Sequence, residues 1–521
     1  MKKVSLFFGS LFFLLSAKAQ IIPTWSNEVA SIIYDNCSSC HHVGGIGPFS
    51  LMSYEDAVNN AFGIQSQTAA RLMPPWKPDP NYRHFKDERI LSDSDINTLS
   101  SWVNGGTLSG DLTIAPAPPV FNSGSQMVAI DESIQWPQWT VTTDVDQYRT
   151  FVIHSDYEQD TYLNQIEYLP GNGSVVHHMV LFYDEKATSW NTDQNDPLPG
   201  YESYGLGPTS YSAVIIGAWA PGSGIFELPS NMGIRIPAGA DIGLEIHYSP
   251  GANGLTDSSV VNFKFSIAAA PREVYVDAAL NHLINLTDGP LYIPANTVKS
   301  FHEKLKITGG DLSLVSVFPH MHKVGTEIHS WAVSANNDTT NLVSIPQWSF
   351  HWQGFYEYQK LIHITNLSTL WGEATYDNTI NNPDNPSNPP QDVVSGEHTT
   401  DEMMIIFYAY LAYQPGDENI ILDSSSITSV SDHPINPGLS VQTFPNPLIE
   451  QLFIHLQLSK SSNLHFKIFN MAGAIAKTWD EYHVSPGLYS SAVTVNNLLP
   501  GIYFLEIISN EGTVVQKIIK Q

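Results

Sequence analysis

Apolar and polar residues alternate in short segments along most of the chain, and Gly, Pro and Asn interrupt the alternation about every ten residues. A period of two is typical of β-strands with one buried face, because successive side chains point to opposite faces. Helical periodicity is nearly absent from residue 136 to residue 415, and short strand patterns return in residues 439–521. The chain is therefore predicted to be a multidomain, mainly β protein.

The N-terminal region has a different pattern. Residues 25–34 have helical character, and residues 92–105 begin with an acidic N-cap region and end in Gly-Gly. Apolar residues stand at positions 96, 99, 102 and 103 of the second segment. These features predict a helix that closes a small α-helical domain.

An export signal is predicted at residues 1–19. Lys2 and Lys3 precede an apolar run, and the segment ends in an Ala-x-Ala pattern at Ala19. No other apolar stretch approaches the roughly 20 residues that a transmembrane helix needs. We therefore expect an exported protein without a transmembrane anchor.

The length of the chain predicts its number of domains, and its net charge limits the classes of partner that it can bind. A chain of 521 residues predicts about three or four domains. The 23 Lys and Arg residues against 51 Asp and Glu residues give a net charge of −28. Such a charge repels phosphate backbones, so nucleic acid is excluded as a partner. Residues 113–135, rich in Pro, Ala and Ser in their first half, predict a flexible linker.

The chain contains two cysteines, Cys37 and Cys40, and His41 follows directly. In a Cys-x-x-Cys-His pattern the two thiols attach haem covalently and the histidine binds its iron. A disulfide or a redox-active Cys-x-x-Cys is the alternative. On the haem interpretation no cysteine remains for a structural disulfide.

A low-spin haem needs a sixth ligand, and we predict Met73, in a segment stiffened by two prolines. Met52 and His84 are competing ligands, and an ordinary core role for Met73 is the other alternative. With the haem motif and the Met-Pro loop, residues 20–112 resemble a small monohaem cytochrome c domain.

His320 and His322 end an apolar, β-branched run. In an extended backbone both imidazoles project to the same side and can bind one metal ion. The alternative is a pair that is solvated or hydrogen-bonded.

Three further histidines lie in apolar strands. His177 and His178 are adjacent, so both can reach one ion only if their strand is bulged or twisted. His247 lies in another strand, and three neutral imidazoles suit copper or zinc. Met403 heads a further apolar strand, where its thioether would favour cuprous copper, although a methionine there is more often a core residue.

The His-His-Met, His-Tyr, His-x-His and Asp-Glu-Met motifs, in this order, resemble those of the copper type II, ascorbate-dependent monooxygenases. This is the family of peptidylglycine α-hydroxylating monooxygenase and dopamine β-monooxygenase. The resemblance implies two jelly-roll-like β-sandwiches, here residues 136–270 and 271–415, each with one copper ion. The ligands it implies for the electron-accepting copper are His177, His178 and His247. Those for the catalytic, O2-binding copper are His320, His322 and Met403.

The implied reaction is hydroxylation of a C–H bond of a small substrate with O2, with electrons from an ascorbate-like reductant or a redox protein. The tethered haem domain is predicted to be such a donor, because a linker raises its effective concentration. The alternative belongs to another class: a non-enzymatic haem and copper electron-transfer protein that does not activate O2.

The substrate is expected to differ from a peptide. The peptide-amidating relatives grip a carboxylate with an arginine, an asparagine and a tyrosine, and the matching positions here are Phe318, Ile405 and Phe407. An apolar pocket predicts a neutral, apolar or aromatic substrate. Glu245, two residues before His247, is a candidate neighbour of the first copper; a solvated surface residue is the alternative.

Residues 416–438 are polar and predict a second linker. Residues 439–521 contain Phe-Pro-Asn-Pro, Gly-Ile-Tyr and a basic end. They resemble the C-terminal sorting domain of type IX secretion cargo in Bacteroidetes, an immunoglobulin-like β-sandwich; an accessory β-domain is the alternative. The resemblance implies the type IX machinery as a partner and export through the periplasm and outer membrane, either secreted or to the cell surface.

Overall fold

The computed structural model describes most of the chain, namely residues 22–121, 124–203, 213–423, 440–444, 448–470, 475–499, 501–509 and 512–520. The predicted export signal and most of the second linker lie outside these residues. Strands account for 42% of the structure and helices for 12%, which confirms a mainly β protein. The described residues fall into two compact units, within Met1–Ile420 and Ile421–Gln521. None of the described helices has the length and apolarity to cross a membrane.

The N-terminal region is helical, as predicted. It contains a π-helical turn at Trp25–Val29 followed by α1 (Ala30–Asn36), α2 (Tyr54–Asn59), α3 (Ala61–Ala69) and α4 (Asp93–Asn104). Ser92 and Asp95 form a capping box at the start of α4, each accepting from the other's backbone N–H. Trp25, Leu99 and Trp102 are buried in the core of this region.

In its described residues the first sandwich has twelve strands and one short helix, α5 (Thr188–Asn195), in a region where no helix was predicted. The strands are β1 (Glu132–Gln135), β2 (Trp139–Thr140), β3 (Gln147–Ile153), β4 (Thr161–Leu169), β5 (Val176–Asp184), β6 (Tyr201–Glu202), β7 (Ala213–Trp219), β8 (Phe226–Glu227), β9 (Met232–Ile236), β10 (Asp241–Tyr248), β11 (Thr256–Asp257) and β12 (Val260–Phe265). One sheet has the order β6-β3-β10-β5-β7, and the other contains β1-β12-β4-β9.

The second sandwich follows directly. Its strands are β13 (Arg272–Asn281), β14 (Tyr292–Ile293), β15 (Thr297–Lys306), β16 (Leu312–His320), β17 (Gly325–Val333), β18 (Thr339–Ile345), β19 (Tyr356–Ile364), β20 (Thr369–Asn378), β21 (Val393–Val394) and β22 (Ile405–Ala412). One sheet has the order β15-β20-β17-β18 and the other β13-β22-β16-β19. Strand β13 also pairs with β9 in parallel, so one continuous sheet runs through both sandwiches.

Both predicted linkers are shorter in the structure. Strand β1 begins at Glu132 and pairs with β12, inside the segment predicted as linker. At the other end, Asp417 forms an ion pair with Arg272 at 2.7 Å and accepts a hydrogen bond from Ser313. This buried ion pair fixes Asp417, although the polar composition of its segment predicted a flexible linker.

The helical region is docked on the second sandwich, which corrects the picture of a freely tethered domain. Phe85 is fully buried in the core of that sandwich and forms a β-bridge with Tyr358. Arg83 donates hydrogen bonds to the Asn341 carbonyl, and Lys86 pairs with Glu357 at 3.1 Å. Pattern analysis missed this contact because a single aromatic residue in a loop has no periodicity.

Glu303 on β15 is a buried acid in the second sandwich. Its side chain is fully inaccessible, and neither carboxyl oxygen has a hydrogen-bond partner among the described residues. Burial raises the pKa of Glu303 to about 9, because an ion in this apolar site would lose its hydration. The folded protein therefore keeps a proton that the unfolded chain releases above its ordinary pKa of 4.5.

This proton makes stability depend on pH. As pH rises from 4.5 towards 9, the free energy of unfolding falls by up to about 1.4 kcal/mol per pH unit. Glu303→Gln removes the titration, so its melting temperature should exceed that of the wild type at pH 8, with a smaller difference at pH 5. Differential scanning calorimetry tests this, with the exposed Glu327→Gln as control. An equal effect of Glu303→Gln at both pH values would contradict it.

The C-terminal unit is a separate sandwich. Its strands are β23 (Ser440–Phe444), β24 (Gln451–Leu458), β25 (Ser462–Asn470), β26 (Ile475–Val484), β27 (Gly487–Thr494), β28 (Gly501–Ser509) and β29 (Gly512–Lys520). They form a sheet β23-β24-β27 and a sheet β26-β25-β28-β29. Alternate residues of β24 and β25, such as Ile454 and Phe466, fill the core between them.

Candidate metal centres

A β-bulge brings His177, His178 and His247 together. In the pairing of β5 with β10, His178 lies opposite His247 and Val176 lies opposite Tyr248, so His177 is the extra residue of the bulge. This irregularity is what two adjacent histidines need to face one point. The structure therefore has the bulged strand that the sequence required for a shared site.

The three imidazoles have the geometry of a metal site. His178 Nδ1 lies 3.2 Å from the Nδ1 atoms of both His177 and His247. One nitrogen of each ring lies within 4.8 Å of the others. Ligands at the usual 2.0 Å from a tetrahedral ion would be about 3.3 Å apart. The spacing fits three nitrogen donors to one copper or zinc ion.

The surroundings keep these imidazoles neutral and oriented. Burial, together with the charges of neighbouring histidines, lowers the pKa of His177 to about 3 and that of His178 well below its ordinary value. His247 donates from Nε2 to Asp146 at 2.9 Å, which leaves Nδ1 with a free lone pair. Tyr148 stacks on the His247 ring at 4.2 Å. Glu245 was either a neighbour of the first copper or a solvated surface residue by sequence, and its side chain is fully buried.

His320 and His322 form the second site at the end of β16. Their ring centroids are 5.1 Å apart. His320 Nδ1 donates to Gln353 Oε1 at 2.7 Å, and His322 Nδ1 donates to the Asp401 carbonyl at 3.0 Å. Both Nε2 atoms can then serve as metal donors, and His320 Nε2 is buried with no hydrogen-bond partner in the described part of the chain. Burial lowers the pKa of His320 to about 3 and that of His322 to about 4.

Glu402 joins the predicted Met403 ligand to the histidine pair. Its buried carboxylate accepts hydrogen bonds from the backbone N–H groups of His322, Val324, Gly325 and Met403, at 2.8 to 3.2 Å. Tyr376 fixes the same segment by donating to the Met403 carbonyl at 2.8 Å. Met403 is buried beside this site and packs in an apolar cluster with Phe318, Ile405 and Phe407.

The three predicted substrate-pocket residues, Phe318, Ile405 and Phe407, pack in one apolar cluster and leave little open volume between them. Phe318 stacks on Phe355 at 4.7 Å and contacts Phe407 at 5.6 Å. The cavity beside them measures about 20 Å³, which is enough for about one water molecule. His178 and His320 both line it. The two metal sites therefore face a common cavity across the sandwich junction.

The haem motif lies at a larger cavity of about 520 Å³. Cys37, Cys40, His41 and Met73 all line it, whereas Met52 and His84, the competing ligands, do not. His41 Nδ1 donates to the Phe49 carbonyl at 3.1 Å, which leaves Nε2 for iron. This lining offers two thiols, an imidazole and a thioether, which is the set of groups that the predicted haem would need.

The environment of Cys37 bears on the redox alternative for the Cys-x-x-Cys pair. Both thiols are free in the structure. Burial, and then the charge of Cys40, raises the pKa of Cys37 to about 12. Redox-active Cys-x-x-Cys motifs lower this pKa to produce a thiolate, so the burial of Cys37 argues against the redox alternative.

The haem cavity and the three-histidine cluster share a wall. His177 lines the cavity together with His351, and the two rings meet edge to face at 5.6 Å. Gly222 lies against Cys40 and Arg89, where a Cβ atom would collide with the guanidinium. The first sandwich therefore lies next to Cys40 at Gly222.

Sequence reasoning missed the residues that orient the metal donors. Gln353 is 33 residues from His320, and Asp146 is 101 residues from His247, so no local motif connects them. The sequence could have drawn attention to Glu402, because it directly precedes Met403. Nothing in the sequence distinguishes His351 from the other histidines, of which the chain has 19 in total.

The two orienting residues give a paired prediction. Gln353→Leu should weaken copper binding at the His320 site by about 10- to 100-fold, because His320 loses the acceptor that fixes its tautomer. Asp146→Asn should weaken binding at the three-histidine site by a similar factor. Competition titrations with a copper chelator, followed by paramagnetic resonance, report each site. If either substitution affected both sites equally, the separate roles assigned here would be wrong.

Comparisons with known proteins agree with parts of this geometry. Residues 295–427 match the family model of the copper type II ascorbate-dependent monooxygenase C-terminal domain, and residues 442–521 match that of the secretion system C-terminal sorting domain. The second match indicates type IX secretion to the cell surface or outside the cell. The first supports a copper-dependent monooxygenase at the level of the family.

No curated protein matches the chain. Solved structures with local similarity include β-glucuronidases of Parabacteroides merdae (9% identity, TM-score 0.14, 42% of this chain and 28% of that one) and Faecalibacterium prausnitzii (10%, 0.13, 43% and 37%). A red sea bream transglutaminase gives 10% identity, a TM-score of 0.14 and coverage of 46% and 31%. The chain spans little more than a third of these proteins or less, and TM-scores this low carry no functional information.

Proposed function

We propose that the protein is a secreted copper-dependent monooxygenase that hydroxylates a C–H bond of a neutral, apolar or aromatic small molecule with O2. The observation that carries the proposal is the pair of histidine sites facing one cavity, with three Nδ1 donors on one side and two Nε2 donors on the other. The family match over residues 295–427 supports the same conclusion.

When bound, copper supplies the one-electron chemistry of O2 reduction at these sites. The overall reaction consumes the substrate, O2, two electrons and two protons, and yields the hydroxylated product and water. The chain holds the imidazoles neutral through burial and orients them through Asp146, Gln353 and the Asp401 carbonyl. The thioether of Met403 is a soft donor, which suits a cuprous ion.

We propose that the haem delivers the electrons. The supporting observation is that His177, a donor of the three-histidine site, lines the cavity of the haem motif. The docked position of the helical region, through Phe85 and Arg83, holds the two sites together without reliance on a long tether. An ascorbate-like reductant or a redox protein would then reduce the haem.

The second candidate is a haem and copper electron-transfer protein that does not activate O2. The tight packing of Phe318, Phe355 and Phe407 favours it, because the cavity at His320 has no room for a substrate in this state. Monooxygenase activity requires that these rings separate when substrate binds.

Oxygen uptake distinguishes the two functions. Protein loaded with copper and haem, supplied with a chemical reductant and a panel of small neutral aromatics that includes 4-ethylphenol, should consume O2 and place one labelled atom from ¹⁸O2 in the product. Reversible haem and copper reduction without substrate-dependent O2 uptake would support the electron-transfer function instead. Appreciable turnover of a peptidylglycine would contradict the proposed substrate class.

A further inference from the structure

A third cavity lies between the haem cavity and the copper cavity. It measures about 90 Å³ and shares Pro75, Arg89, Pro221 and Trp352 with the haem cavity. With the copper cavity it shares five residues, Ala218, Ala220, Gln353, Gly354 and Phe355. We name it the central cavity. It borders both redox sites and is large enough for a few water molecules or a small group.

Two buried hydroxyl groups line the central cavity without a partner. Tyr168 of β4 is 6% exposed and Ser316 of β16 is fully buried, and neither oxygen has a hydrogen-bond partner among the described residues. Gly217 makes room for the phenol, since a Cβ there would lie 2.5 Å from Tyr168 Oη. Unsatisfied buried hydroxyls are costly, and a bound molecule would satisfy them.

The hydroxyls come from both sandwiches and are uncharged. Burial raises the pKa of Tyr168 far above its usual range, so the phenol keeps its proton. Lys86, which also lines the cavity, is paired with Glu357. Arg89 at the haem side covers the Trp76 ring and donates to the Pro221 carbonyl at 3.3 Å. Trp76 Nε1 and Arg89 Nε also line the cavity without a hydrogen-bond partner among the described residues. Together with Tyr168 and Ser316 they present N–H and O–H donors that suit an acceptor oxygen, such as that of a hydroxyl or carbonyl.

The strand geometry sets the direction of such a ligand. Ser316, Phe318 and His320 alternate along β16 and share one face beyond its bulge at Val315. Ser316 is thus about 13 Å from His320 along the strand, at about 3.3 Å per residue. The stacked rings of Phe318 and Phe355 lie beside this path, and Phe355 lines both cavities.

We infer that the central cavity binds the polar end of the substrate. Tyr168 and Ser316 hold a neutral hydroxyl or carbonyl, and the aromatic or apolar remainder passes Phe355 and Phe318 towards His320. This inference rests on the proposed function and names the substrate class more narrowly, as an elongated neutral molecule that is polar at the end remote from the reacting carbon.

Binding of 4-ethylphenol to copper-free protein with its haem tests the inference separately from O2 chemistry. Tyr168→Phe and Ser316→Ala should each weaken binding about tenfold in calorimetric titrations, because each removes one buried hydrogen bond. Ala218→Leu, which fills the wall between the two cavities, should abolish binding. Tyr358→Phe is the matched control, because the buried hydroxyl of Tyr358 also lacks a partner within the described ranges but lies outside the cavity.

The copper-loaded protein gives a second measurement. Tyr168→Phe should raise KM for 4-ethylphenol and leave kcat unchanged, since the remote hydroxyl is held equally in the ground state and the transition state. Unchanged affinity for 4-ethylphenol in Tyr168→Phe, Ser316→Ala and Ala218→Leu would overturn the inference, and the central cavity would then be a site for water. Tighter binding of 4-ethylbenzoate than of 4-ethylphenol would overturn the neutral class. If the substitutions weaken 4-ethylphenol binding but the copper-loaded protein takes up no O2, only the proposed function is refuted.

Discussion

His320→Ala is expected to reduce substrate hydroxylation at least about a hundredfold, because losing a metal donor costs more than losing one of its hydrogen-bond partners. The Nε2 atom of His320 is buried, has no hydrogen-bond partner among the residues that the structure describes, and faces the shared copper cavity, so alanine leaves this site one donor short. The variant should retain the haem spectrum and the copper at His177, His178 and His247. Product analysis with ¹⁸O2, together with copper content, measures both effects.

The matched control is His363→Ala. His363 lies in the same sandwich, pairs with Asp311 at 2.7 Å and stacks on Tyr413, away from both metal sites. It should keep full activity and two copper ions. Full hydroxylation by His320→Ala protein would mean that the reaction occurs elsewhere.

Replacing His247 with alanine should disconnect the haem from O2 reduction. The substitution removes one of the three Nδ1 donors and the partner of Asp146, so copper should be lost from the first site. In rapid mixing with O2 and substrate, ferrous haem of this variant should reoxidise only at the rate of copper-free protein. The wild type should reoxidise faster, because His177 joins the haem cavity to the copper site.

The haem itself provides the internal control for this experiment. His247 does not line the haem cavity, so the optical spectrum and the haem potential of His247→Ala protein should match those of the wild type. Identical haem kinetics in the two proteins would show that electrons reach copper from another donor. That result would remove the haem from the pathway and leave the copper sites unaffected.

Local patterns were sufficient for much of the fold and for several of the side chains that the structure brings together at the candidate sites. A period of two predicted the strands, and the alternation placed His320 and His322 on one face of β16. The adjacent pair His177 and His178 required a bulge, and the bulge is present. The spacing of Cys37, Cys40 and His41 predicted a haem site, and all three line one cavity with Met73. In each case the determining residues lie within a few positions of one another.

Contacts between distant segments could not be predicted in this way. The docking of Phe85 on the second sandwich replaced an expected free tether, because burial of a lone aromatic depends on a surface elsewhere in the chain. The partners of the metal donors, Asp146 and Gln353, are set by tertiary packing. The filled space at Phe318 and Phe355 likewise depends on β16 and the segment just before β19, which meet only in the fold.

The most direct test of the account is the metal content of the mature, exported protein. Copper and iron analysis, combined with a haem assay under denaturing conditions, should give two copper ions and one covalently attached haem per chain. His247→Ala and His320→Ala should each remove one copper ion and leave the haem. Haem that separates from the denatured chain, or zinc in place of copper at both sites, would contradict the account.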